Sequence, residues 1–490
     1  MIGLQVNRAG RSGKRILFVT PEFADFIKVG GLGDVAASLP RAIGRHHDVR
    51  VVLPGYRQVL AQLPNRTRVG SCGAYAGLPA CEIARCDLAD GLVVYVVVCP
   101  DLYERDGGPY QAAHGADFPD NDIRFARLSL AACDIAAGDV DPDWSADLVH
   151  ANDWPTALTA AYLRWRKVHI PSIMTIHNLA HQGLFDHRAM AAIGAPDDAF
   201  QIEGVEFFNK VSFLKAGLFY ATHLSTVSET YAREITTPEQ GCGLDGLLAV
   251  RARQNRLTGI LNGVDEKWDP RTDPNLFQNY EAGDWRGKRA NALQIRKQFG
   301  LAVSRGPLFA VVSRLVHQKG IDLVLSAAES IVSAGGQVVV TGNGERGLER
   351  ALVEAACRFP GAFAVNIGFD ETQARNIFAA SDFLLMPSRF EPCGLSQLYA
   401  QRFGSLPVAH RIGGLADTIA DGRTGFLFGQ PNIVSFFAAI GRAFVAFGAK
   451  KRLNTMRDRA MQNVAGWDGP ADDYQRLYAQ VIGNGRPAEA

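Results

Sequence analysis

Short runs of β-branched and other apolar residues alternate with amphipathic stretches of helical period through most of the chain. Near-continuous apolar runs separated by helices are typical of buried parallel strands in doubly wound α/β sheets. In the first half the predicted strands are Arg15–Thr20, Val49–Leu53, Val93–Cys99, Asp147–Ala151 and Ser172–His177. In the second half they are Leu308–Val312, Gln337–Thr341, Ala364–Gly368, Phe383–Met386 and Leu406–Ala409. The pattern predicts an α/β protein with two Rossmann-like domains.

The domain boundaries follow from where this alternation stops. The segment Asn262–Pro307 contains no convincing strand, and we place a hinge near its beginning, around Asn262–Pro270. A last helix is predicted at Asp472–Ile482, where apolar side chains recur at helical spacing. The chain therefore divides into an N-terminal Rossmann-like domain (1–265), a C-terminal one (266–465) and a C-terminal helix that returns to the first domain (466–490).

Composition narrows the class of protein. A chain of 490 residues is too long for one core, and 47% hydrophobic with 21% charged residues indicates a folded, globular protein. The net charge of +1 predicts no general attraction to nucleic acid or to a membrane surface. The stretch Met1–Arg15 is basic but lacks the apolar core of a signal peptide, and the 8 cysteines show no metal-finger spacing. A reducing cytoplasm is the expected location.

One short glycine-containing motif occurs twice in the sequence. Lys28, Gly30, Gly31 and Asp34 have the same spacing as the cation, glycines and acid of Arg411–Asp417. Glycines let a backbone approach a ligand closely, and the N–H groups at a helix start favour an anion. The repeat is consistent either with two similar lobes facing one phosphate-bearing ligand or with two unrelated glycine-rich turns.

Two glycine patterns suggest a dinucleotide site. Gly31–Ala36 matches G-x-G-x-x-A, but it lies well past the predicted strand and no acid for a ribose follows the next strand. Gly342–Gly347 matches G-x-G-x-x-G directly after a predicted strand, and Asp370 ends the following one. An NAD-dependent oxidoreductase therefore stays as a distant alternative.

Charged residues also follow two predicted strands of the second half. Arg314 and Lys319 flank a turn that opens a helix, where two cations are well placed to hold a diphosphate. Glu391 lies in a loop with Pro392 and Gly394 that opens another helix. This carboxylate is either a group that contacts a sugar or a helix cap. Ligands of α/β proteins bind at such strand ends.

In the first half, Asp153 and His177 follow neighbouring strands and are candidates for the same rim. The pair Asp141 and Asp143 superficially matches a D-x-D metal clamp, but no predicted strand precedes it. We interpret it as a turn and predict no metal.

Together these motifs resemble bacterial glycogen synthases and the related starch synthases nearly end to end. The resemblance is carried by Lys28–Leu32, Phe118–Asn121 with Arg124–Ala126, His177–Gly183, Phe213–Gly217, Thr226–Ser228, Leu261–Asp265, Ser313–Gly320 and Ser388–Leu395. It implies the GT-B arrangement of glycosyltransferases, in which two Rossmann-like domains face a central cleft. The implied reaction is glucosyl transfer from ADP-glucose to the non-reducing end of an α-1,4-glucan, with retention of configuration.

The resemblance also implies residue roles. His177, Glu391, Asp153, Lys319 and Arg314 are the expected catalytic residues, with Arg314 and Lys319 holding the diphosphate and His177 lying over the reacting face of the donor sugar. The expected substrate-binding residues are Lys28, Gly30, Gly31, Asp34, Asn262, Phe369, Gly394, Leu395 and Ser396. No metal or other cofactor is implied, and the expected partners are ADP-glucose and glycogen.

The chain departs from the family pattern at several positions. Asn152 and Pro155 stand where many members have histidines, and Phe369 stands where a tyrosine near the adenine is common. Tyr399 occupies the position at which related retaining transferases place a second carboxylate. Residues alone leave open whether the donor is ADP-glucose or UDP-glucose, whether the acceptor is another molecule, and which oligomer forms.

Overall fold

The computed structural model describes residues 13–484, which form two compact units. The first unit comprises the described residues up to Val227, then Ala232–Ile260 and the chain from Trp467 onward; the second comprises Ser228–Tyr231 and Leu261–Gly466. Apart from the four residues Ser228–Tyr231, the chain passes into the second unit after Ile260, five residues before the predicted boundary at 265/266. Most of the basic stretch Met1–Arg15 lies outside the described residues.

The strands of the described chain are numbered in order. They are β1 (Arg15–Val19), β2 (Asp48–Pro54), β3 (Thr67–Cys72), β4 (Cys81–Asp87), β5 (Val93–Val98), β6 (Leu148–Asn152), β7 (Ser172–Ile176), β8 (Leu184–Phe185), β9 (Glu206–Phe207), β10 (Lys210–Ser212), β11 (His223–Thr226), β12 (Leu257–Gly259), β13 (Leu308–Val312), β14 (Gln337–Gly342), β15 (Phe363–Ile367), β16 (Phe383–Met386), β17 (Leu406–His410) and β18 (Phe426–Phe428).

The α-helices are numbered likewise. They are α1 (Gly31–Ile43), α2 (Arg57–Gln62), α3 (Pro100–Tyr103), α4 (Asn121–Ala137), α5 (Leu158–Trp165), α6 (Ala189–Ile193), α7 (Phe213–Tyr220), α8 (Glu229–Glu234), α9 (Asp245–Arg253), α10 (Arg286–Gln298), α11 (Ile321–Ser333), α12 (Arg346–Arg358), α13 (Glu371–Ala380), α14 (Ser396–Arg402), α15 (Gly413–Thr418), α16 (Ile433–Gly448), α17 (Lys450–Asn463) and α18 (Asp468–Asn484). Single 3₁₀ turns occur at Trp154–Thr156, Asp197–Ala199 and His317–Lys319.

The first unit contains a nine-stranded sheet in the order β12-β11-β7-β6-β1-β2-β5-β4-β3. Its strands are parallel except at one edge, where β4 pairs antiparallel with both β5 and β3. From β5 to β11 the order is the 3-2-1-4-5-6 of a Rossmann fold. A small antiparallel sheet, β8-β10-β9, is separate from it.

The second unit contains a six-stranded parallel sheet in the order β15-β14-β13-β16-β17-β18, again 3-2-1-4-5-6. Alternate residues of β13 enter two different apolar cores, Leu308, Ala310 and Val312 on one face and Phe309 and Val311 on the other. Because successive strand side chains point to opposite faces, this sheet is covered on both sides. The prediction of two doubly wound α/β domains is confirmed.

All ten predicted strands are present, with ends shifted by one residue at most. The strands that the pattern missed are β3 and β4 at the antiparallel edge, β18 at the edge of the second sheet, and the short β8 to β12. These runs carry polar residues or are only two to four residues long, so they lack the continuous apolar run that marks a central parallel strand.

The C-terminal helix α18 belongs to the first unit. Its side chains Tyr474, Leu477, Tyr478 and Val481 are buried in the core of that unit. The hydroxyl of Tyr478 lies 2.7 Å from Nδ1 of His150 on β6, which ties the helix to the central strands.

In residues 13–484 no single helix is long and apolar enough to cross a membrane. One bent pair, Ile433–Gly448 with Lys450–Gly483, meets the same test by length and composition only.

Candidate active site

In the first unit the predicted site residues lie beyond the carboxyl ends of β1, β6 and β7, which are adjacent in the sheet. Lys28 and Asp34 follow β1, Asp153 follows β6, and His177 follows β7. The chain leaves β1 towards β2 on one side and β6 lies on the other, so this is the switch point at which α/β folds bind ligands.

Lys28 and Asp34 form an ion pair across the start of α1, with Lys28 Nζ 2.7 Å from Asp34 Oδ2. The loop between them is held by Glu22, whose Oε2 accepts hydrogen bonds from the backbone N–H groups of Val29 (2.7 Å) and Gly30 (3.1 Å). The N–H of Gly30 is therefore bonded to a carboxylate of the same unit. Sequence reasoning missed Glu22, although it stands only three residues after β1.

The carboxyl group of Glu22 is buried, and burial raises its pKa despite the hydrogen bonds that oppose the shift. Its Oε1 accepts a hydrogen bond of 2.6 Å from the hydroxyl of Tyr110. The loop of Tyr110 is in turn held by two residues of α4, since Asn121 Nδ2 donates to Tyr110 O (3.0 Å) and Arg124 Nη1 to Pro109 O (2.9 Å). The motif around Asn121 and Arg124 thus supports the Lys28 loop indirectly, through Tyr110 and Glu22.

Asp153 lies at the end of β6 in an unusual backbone conformation, with φ 59° and ψ 176°. This region is populated almost only by glycine, and such strain is typical of functional sites. The Asp153 Oδ1 atom accepts hydrogen bonds from the backbone N–H groups of His177 (3.1 Å) and Asn178 (3.4 Å). Burial nevertheless raises the pKa of Asp153 to about 7, and the charge of Glu22 adds to the shift.

His177 contacts β6 through its ring, since Nε2 lies 3.0 Å from Oδ1 of Asn152. Burial lowers the pKa of His177 to about 3, so the ring is neutral near pH 7. The strand ends of β6 and β7 therefore place Asp153 and His177 together, as the sequence indicated. Asn152, noted from the sequence only as a departure from the family pattern, is the residue that holds the ring.

In the second unit most of the predicted site residues follow β13 and β16, which are again adjacent and central. Lys319 Nζ lies 2.6 Å from Glu391 Oε2, and the hydroxyl of Ser388 donates to the same oxygen at 3.0 Å. The side chains of Lys319 and Glu391 are only 17% and 7% exposed. A nearly buried pair of this kind is a positioned feature of the site and differs from an ordinary solvated surface pair.

The loops after β13 and β16 are in direct contact. Gly320 has φ +69°, and a Cβ atom there would lie 2.2 Å from the carbonyl oxygen of Pro387. Gln318 O accepts a hydrogen bond from the backbone N–H of Arg389 (2.8 Å), and Gln318 Nε2 donates to Phe390 O (3.1 Å). This close approach, which only a glycine at 320 permits, brings Lys319 to Glu391.

Arg314 is exposed at the same strand end, with Nη2 3.3 Å from Gln318 Oε1. Phe369 is 60% exposed on the loop after β15. Gly394 has φ +71° and precedes Leu395 and the start of α14 at Ser396, whose hydroxyl donates to Val312 O on β13 at 3.2 Å.

Asn262 lies in the second unit, nine-tenths buried. Its Oδ1 atom has no hydrogen-bond partner in the structure. A buried acceptor without a donor carries a free-energy cost, which a ligand hydroxyl or N–H could offset. Asn262 is therefore a buried residue of this unit with an acceptor available to a ligand.

The repeated glycine-containing motif is not a structural repeat. The first copy follows β1, the first strand of its Rossmann order, whereas the second follows β17, the fifth. Arg411 pairs with Asp421 (3.4 Å), while Asp417 accepts a hydrogen bond from the backbone N–H of Thr230 (2.8 Å). The second copy thus uses its cation and its acid on different partners.

Two residues that the sequence presented as candidate carboxylate positions have structural roles. Asp141 is buried and accepts hydrogen bonds from Tyr95 (2.6 Å) and Arg50 (3.0 Å). Tyr399 stacks on Trp268 with ring centroids 3.8 Å apart. Within 13–484 no group of three or more His, Cys, Asp or Glu side chains is arranged to hold a metal ion.

The G-x-G-x-x-G turn after β14 packs against the neighbouring loop. A Cβ atom at Gly342 would lie 1.9 Å from Ser313 O, and the N–H of Gly344 donates to the Glu349 side chain at 2.8 Å. These glycines are accounted for by close packing between two loops.

Comparison with known proteins shows the family to which the chain belongs. Residues 15–250 match the family model described as starch synthase catalytic domain, and residues 306–444 match glycosyl transferases group 1. A protein named glycogen synthase 1 from Bradyrhizobium diazoefficiens is 59% identical over 457 residues, which cover 93% of this chain and 99% of that protein. Glycogen synthase from Pseudomonas putida is 55% identical over 469 residues, covering 96% and 90%.

Among solved structures, the catalytic domain of starch synthase IV from Arabidopsis thaliana, bound to ADP and acarbose, matches with a TM-score of 0.86 at 29% identity. That match covers 96% of this chain and all of the other. Sucrose-phosphate synthase from Thermosynechococcus elongatus, at a TM-score of 0.60 and 16% identity, shares the fold. With identities above 50% over almost its whole length, the chain belongs to the bacterial glycogen synthase family, as its motifs predicted.

Proposed function

We propose that this protein transfers glucose from ADP-glucose to the non-reducing end of an α-1,4-glucan such as glycogen, with retention of configuration. Family membership supports the reaction class. The observation that carries the proposal is the nearly buried Lys319–Glu391 pair beside Arg314, at the switch point of a Rossmann-like sheet. It combines cations for a diphosphate with a carboxylate for a sugar.

In the proposed reaction the bond between C1 of glucose and the β-phosphate oxygen breaks, and a bond forms from C1 to O4 of the acceptor. The acceptor hydroxyl loses a proton, which the departing phosphate takes up on the same face of the sugar. The products are ADP and a glucan longer by one residue. By analogy with the family, this front-face course needs no second carboxylate, which is consistent with Tyr399 lying stacked on Trp268.

Charge on the diphosphate increases as the bond breaks, and we assign its stabilisation to Arg314 and Lys319. Lys319 has three N–H donors, and its bond to Glu391 leaves donors for phosphate oxygens. Because Glu391, itself fixed by the hydroxyl of Ser388, already holds the ammonium group, that group needs little reorganisation during the reaction. We assign Lys28, fixed by Asp34, to the same nucleotide sugar.

We assign the sugar to Asp153, His177, Asn262 and Glu391. His177 is neutral, and the carboxyl group of Asp153 is either neutral or negative, so neither adds positive charge near the glucosyl cation that develops. The unpartnered Oδ1 of Asn262 is an acceptor for a ligand donor. Gly31, Gly394, Leu395 and Ser396 are assigned to backbone contacts with the substrate, and Phe369 to the adenine. Gly30, whose N–H is already bonded to Glu22, is assigned to the turn that presents Gly31.

We further propose that the reaction needs no metal or other cofactor, since protein cations are available at the diphosphate. We place the enzyme in the cytoplasm. Its cysteines, all inside the described range, are free, which is consistent with a reducing compartment.

The deciding experiment measures ADP or UDP release from ADP-glucose, UDP-glucose and no donor, each with and without glycogen. We expect glycogen-dependent release from ADP-glucose, with glucose incorporated into the glucan. Glycogen-dependent release from UDP-glucose alone would leave the fold assignment intact and overturn the donor. Release that is equal without glycogen would mean that water takes the glucose and would overturn the acceptor. No release from either donor in the presence of glycogen would favour another glycosyltransferase of the same fold.

A further inference from the structure

Asn152 is the last residue of β6, and its side chain is locked in one orientation. Its Nδ2 atom donates to two backbone carbonyls, Val19 O at 3.0 Å and His150 O at 3.4 Å. The hydroxyl of Thr156 accepts from the backbone N–H of Asn152 at 2.6 Å, which fixes the main chain as well. Two carbonyl acceptors on one side identify that atom as nitrogen, since an oxygen there would be repelled by both.

It follows that Oδ1 of Asn152 is the atom 3.0 Å from Nε2 of His177. An amide oxygen can only accept a hydrogen bond, so Nε2 of His177 must carry the proton. A neutral imidazole has one N–H, and burial keeps this ring neutral. The other nitrogen, Nδ1, therefore has a lone pair and acts as an acceptor.

We propose that Asn152 is a positioning residue that holds His177 in one ring orientation and in the Nε2–H tautomer, so that Nδ1 meets the donor sugar as a hydrogen-bond acceptor. The Asn152 side chain itself is fully buried and acts only through His177. The statement about the sugar rests on the proposed function, whereas the statement about the tautomer does not. His177 is thereby assigned to accept from a sugar hydroxyl and not to donate a proton.

The first test is the NMR spectrum of the full-length protein labelled with ¹⁵N-histidine, without substrate. Two-bond ¹⁵N–¹H correlations report which ring nitrogen carries the proton, and the His177→Gln variant identifies the signals of His177. We expect the Nε2–H pattern. An Nδ1–H pattern in the wild-type protein would overturn the tautomer whatever reaction the enzyme catalyses.

The second test compares Asn152→Ala and Asn152→His with Ser129→Ala. Ser129 on α4 is also buried, and its hydroxyl donates to Pro155 O (3.5 Å) in the 3₁₀ turn that follows Asn152. The Ser129→Ala variant therefore controls for a general loss of packing in this region. We expect Asn152→Ala to give mixed His177 tautomers and to lower kcat/KM for ADP-glucose about tenfold, as for the loss of one orienting hydrogen bond. Asn152→His should restore both, because an imidazole can donate to Val19 O and accept from His177 on opposite sides.

An unchanged His177 tautomer in Asn152→Ala would overturn the positioning role, even if activity falls. A mixed tautomer with unchanged kcat/KM would overturn the role of Nδ1 towards the sugar. If Ser129→Ala lowered kcat/KM as much as Asn152→Ala, the effect would be general and the proposal wrong. If Asn152→Ala does not fold, the wild-type spectrum still decides which nitrogen of His177 carries the proton. The spectrum and kcat/KM of Asn152→His then decide whether the side chain at position 152 holds that tautomer.

Discussion

Lys319 and Glu391 stand 72 positions apart in the chain, yet Nζ of the first lies 2.6 Å from Oε2 of the second. They meet because β13 and β16 are neighbours in the second sheet and because Gly320 lets the loop of Lys319 press against Pro387. A single pair thus connects the two charged motifs that the sequence showed separately.

The first prediction separates the two proposed diphosphate cations. We expect Lys319→Ala and Arg314→Ala each to lower kcat/KM for ADP-glucose by about a hundredfold or more, since contacts that strengthen in the transition state are lost. Lys319→Ala should also cost about 3–5 kcal/mol of unfolding free energy, because Glu391 is left buried without its partner. Arg314→Ala, at an exposed site, should leave stability nearly unchanged.

Steady-state kinetics and urea denaturation measure both effects, with the exposed Arg346→Ala as the control. Near-normal turnover in a folded Lys319→Ala protein would contradict the assignment of the cation.

The second prediction concerns pH. The folded pKa of Asp153 is raised to about 7 from an ordinary value of 3.8, so the folded state holds a proton that the unfolded state has lost between these values. The resulting stability is fully present below about pH 4 and is lost as the pH rises through 7. A shift of this size corresponds to roughly 4 kcal/mol.

Asp153→Asn keeps an oxygen that accepts from the backbone N–H of His177, but its side chain cannot titrate. Urea denaturation between pH 5 and 8 should therefore show the wild-type protein losing stability relative to this variant as the pH rises. A constant difference across that range would mean that the pKa of Asp153 is not raised.

The third prediction tests the contact between the loops after β13 and β16. An alanine at 320 would have a positive φ and a Cβ 2.2 Å from Pro387 O, so we expect Gly320→Ala to cost at least about 2 kcal/mol and to lower activity by displacing Lys319. At Gly347 in α12 a Cβ would meet nothing within 4 Å. Gly347→Ala should be neutral or stabilising by up to about 1 kcal/mol. Equal melting temperatures for the two variants would refute the steric argument.

The fourth prediction is that transfer activity persists in excess EDTA, because Lys28, Arg314 and Lys319 supply positive charge at the diphosphate. The measurement is ADP release before and after chelator treatment, followed by addition of magnesium or manganese. Activity that disappears with EDTA and returns with the metal would overturn the proposal.

The fifth prediction concerns the adenine. Phe369→Ala should raise KM for ADP-glucose about tenfold through loss of aromatic stacking, with a smaller effect on kcat. Phe277→Ala removes an equally exposed phenyl ring elsewhere in the second unit, 63% against 60% exposed, and should leave KM unchanged. If both variants behave alike, Phe369 does not contact the nucleotide.

Many features could be predicted because they are local. The apolar runs of β1, β5 and β13 identified the central strands, since a strand buried on both faces must be apolar throughout. Charged residues in the loops that follow such runs, including Asp153 and Lys319, therefore marked the rim of each sheet. The motifs identified the family in the same way, position by position.

Other features depend on which strands become neighbours. The two glycine-containing motifs are alike in sequence, but one follows β1, the first strand of its Rossmann order, and the other follows β17, the fifth of its own. Their charged side chains therefore have different partners. The short and edge strands β3, β4 and β18 gain their partners only when the sheets assemble.

The sequence by itself determined the two doubly wound domains, the family and the strand ends at which the candidate residues lie, because each depends on residues close together in the chain. Only the tertiary structure decided how those residues are held: the Lys28 loop by Glu22, Lys319 by Glu391, and His177 by Asn152. Hydrogen bonds and burial act through space between distant positions. The neutral ring of His177 and the raised pKa of Asp153 follow from that packing, and no local pattern of residues encodes them.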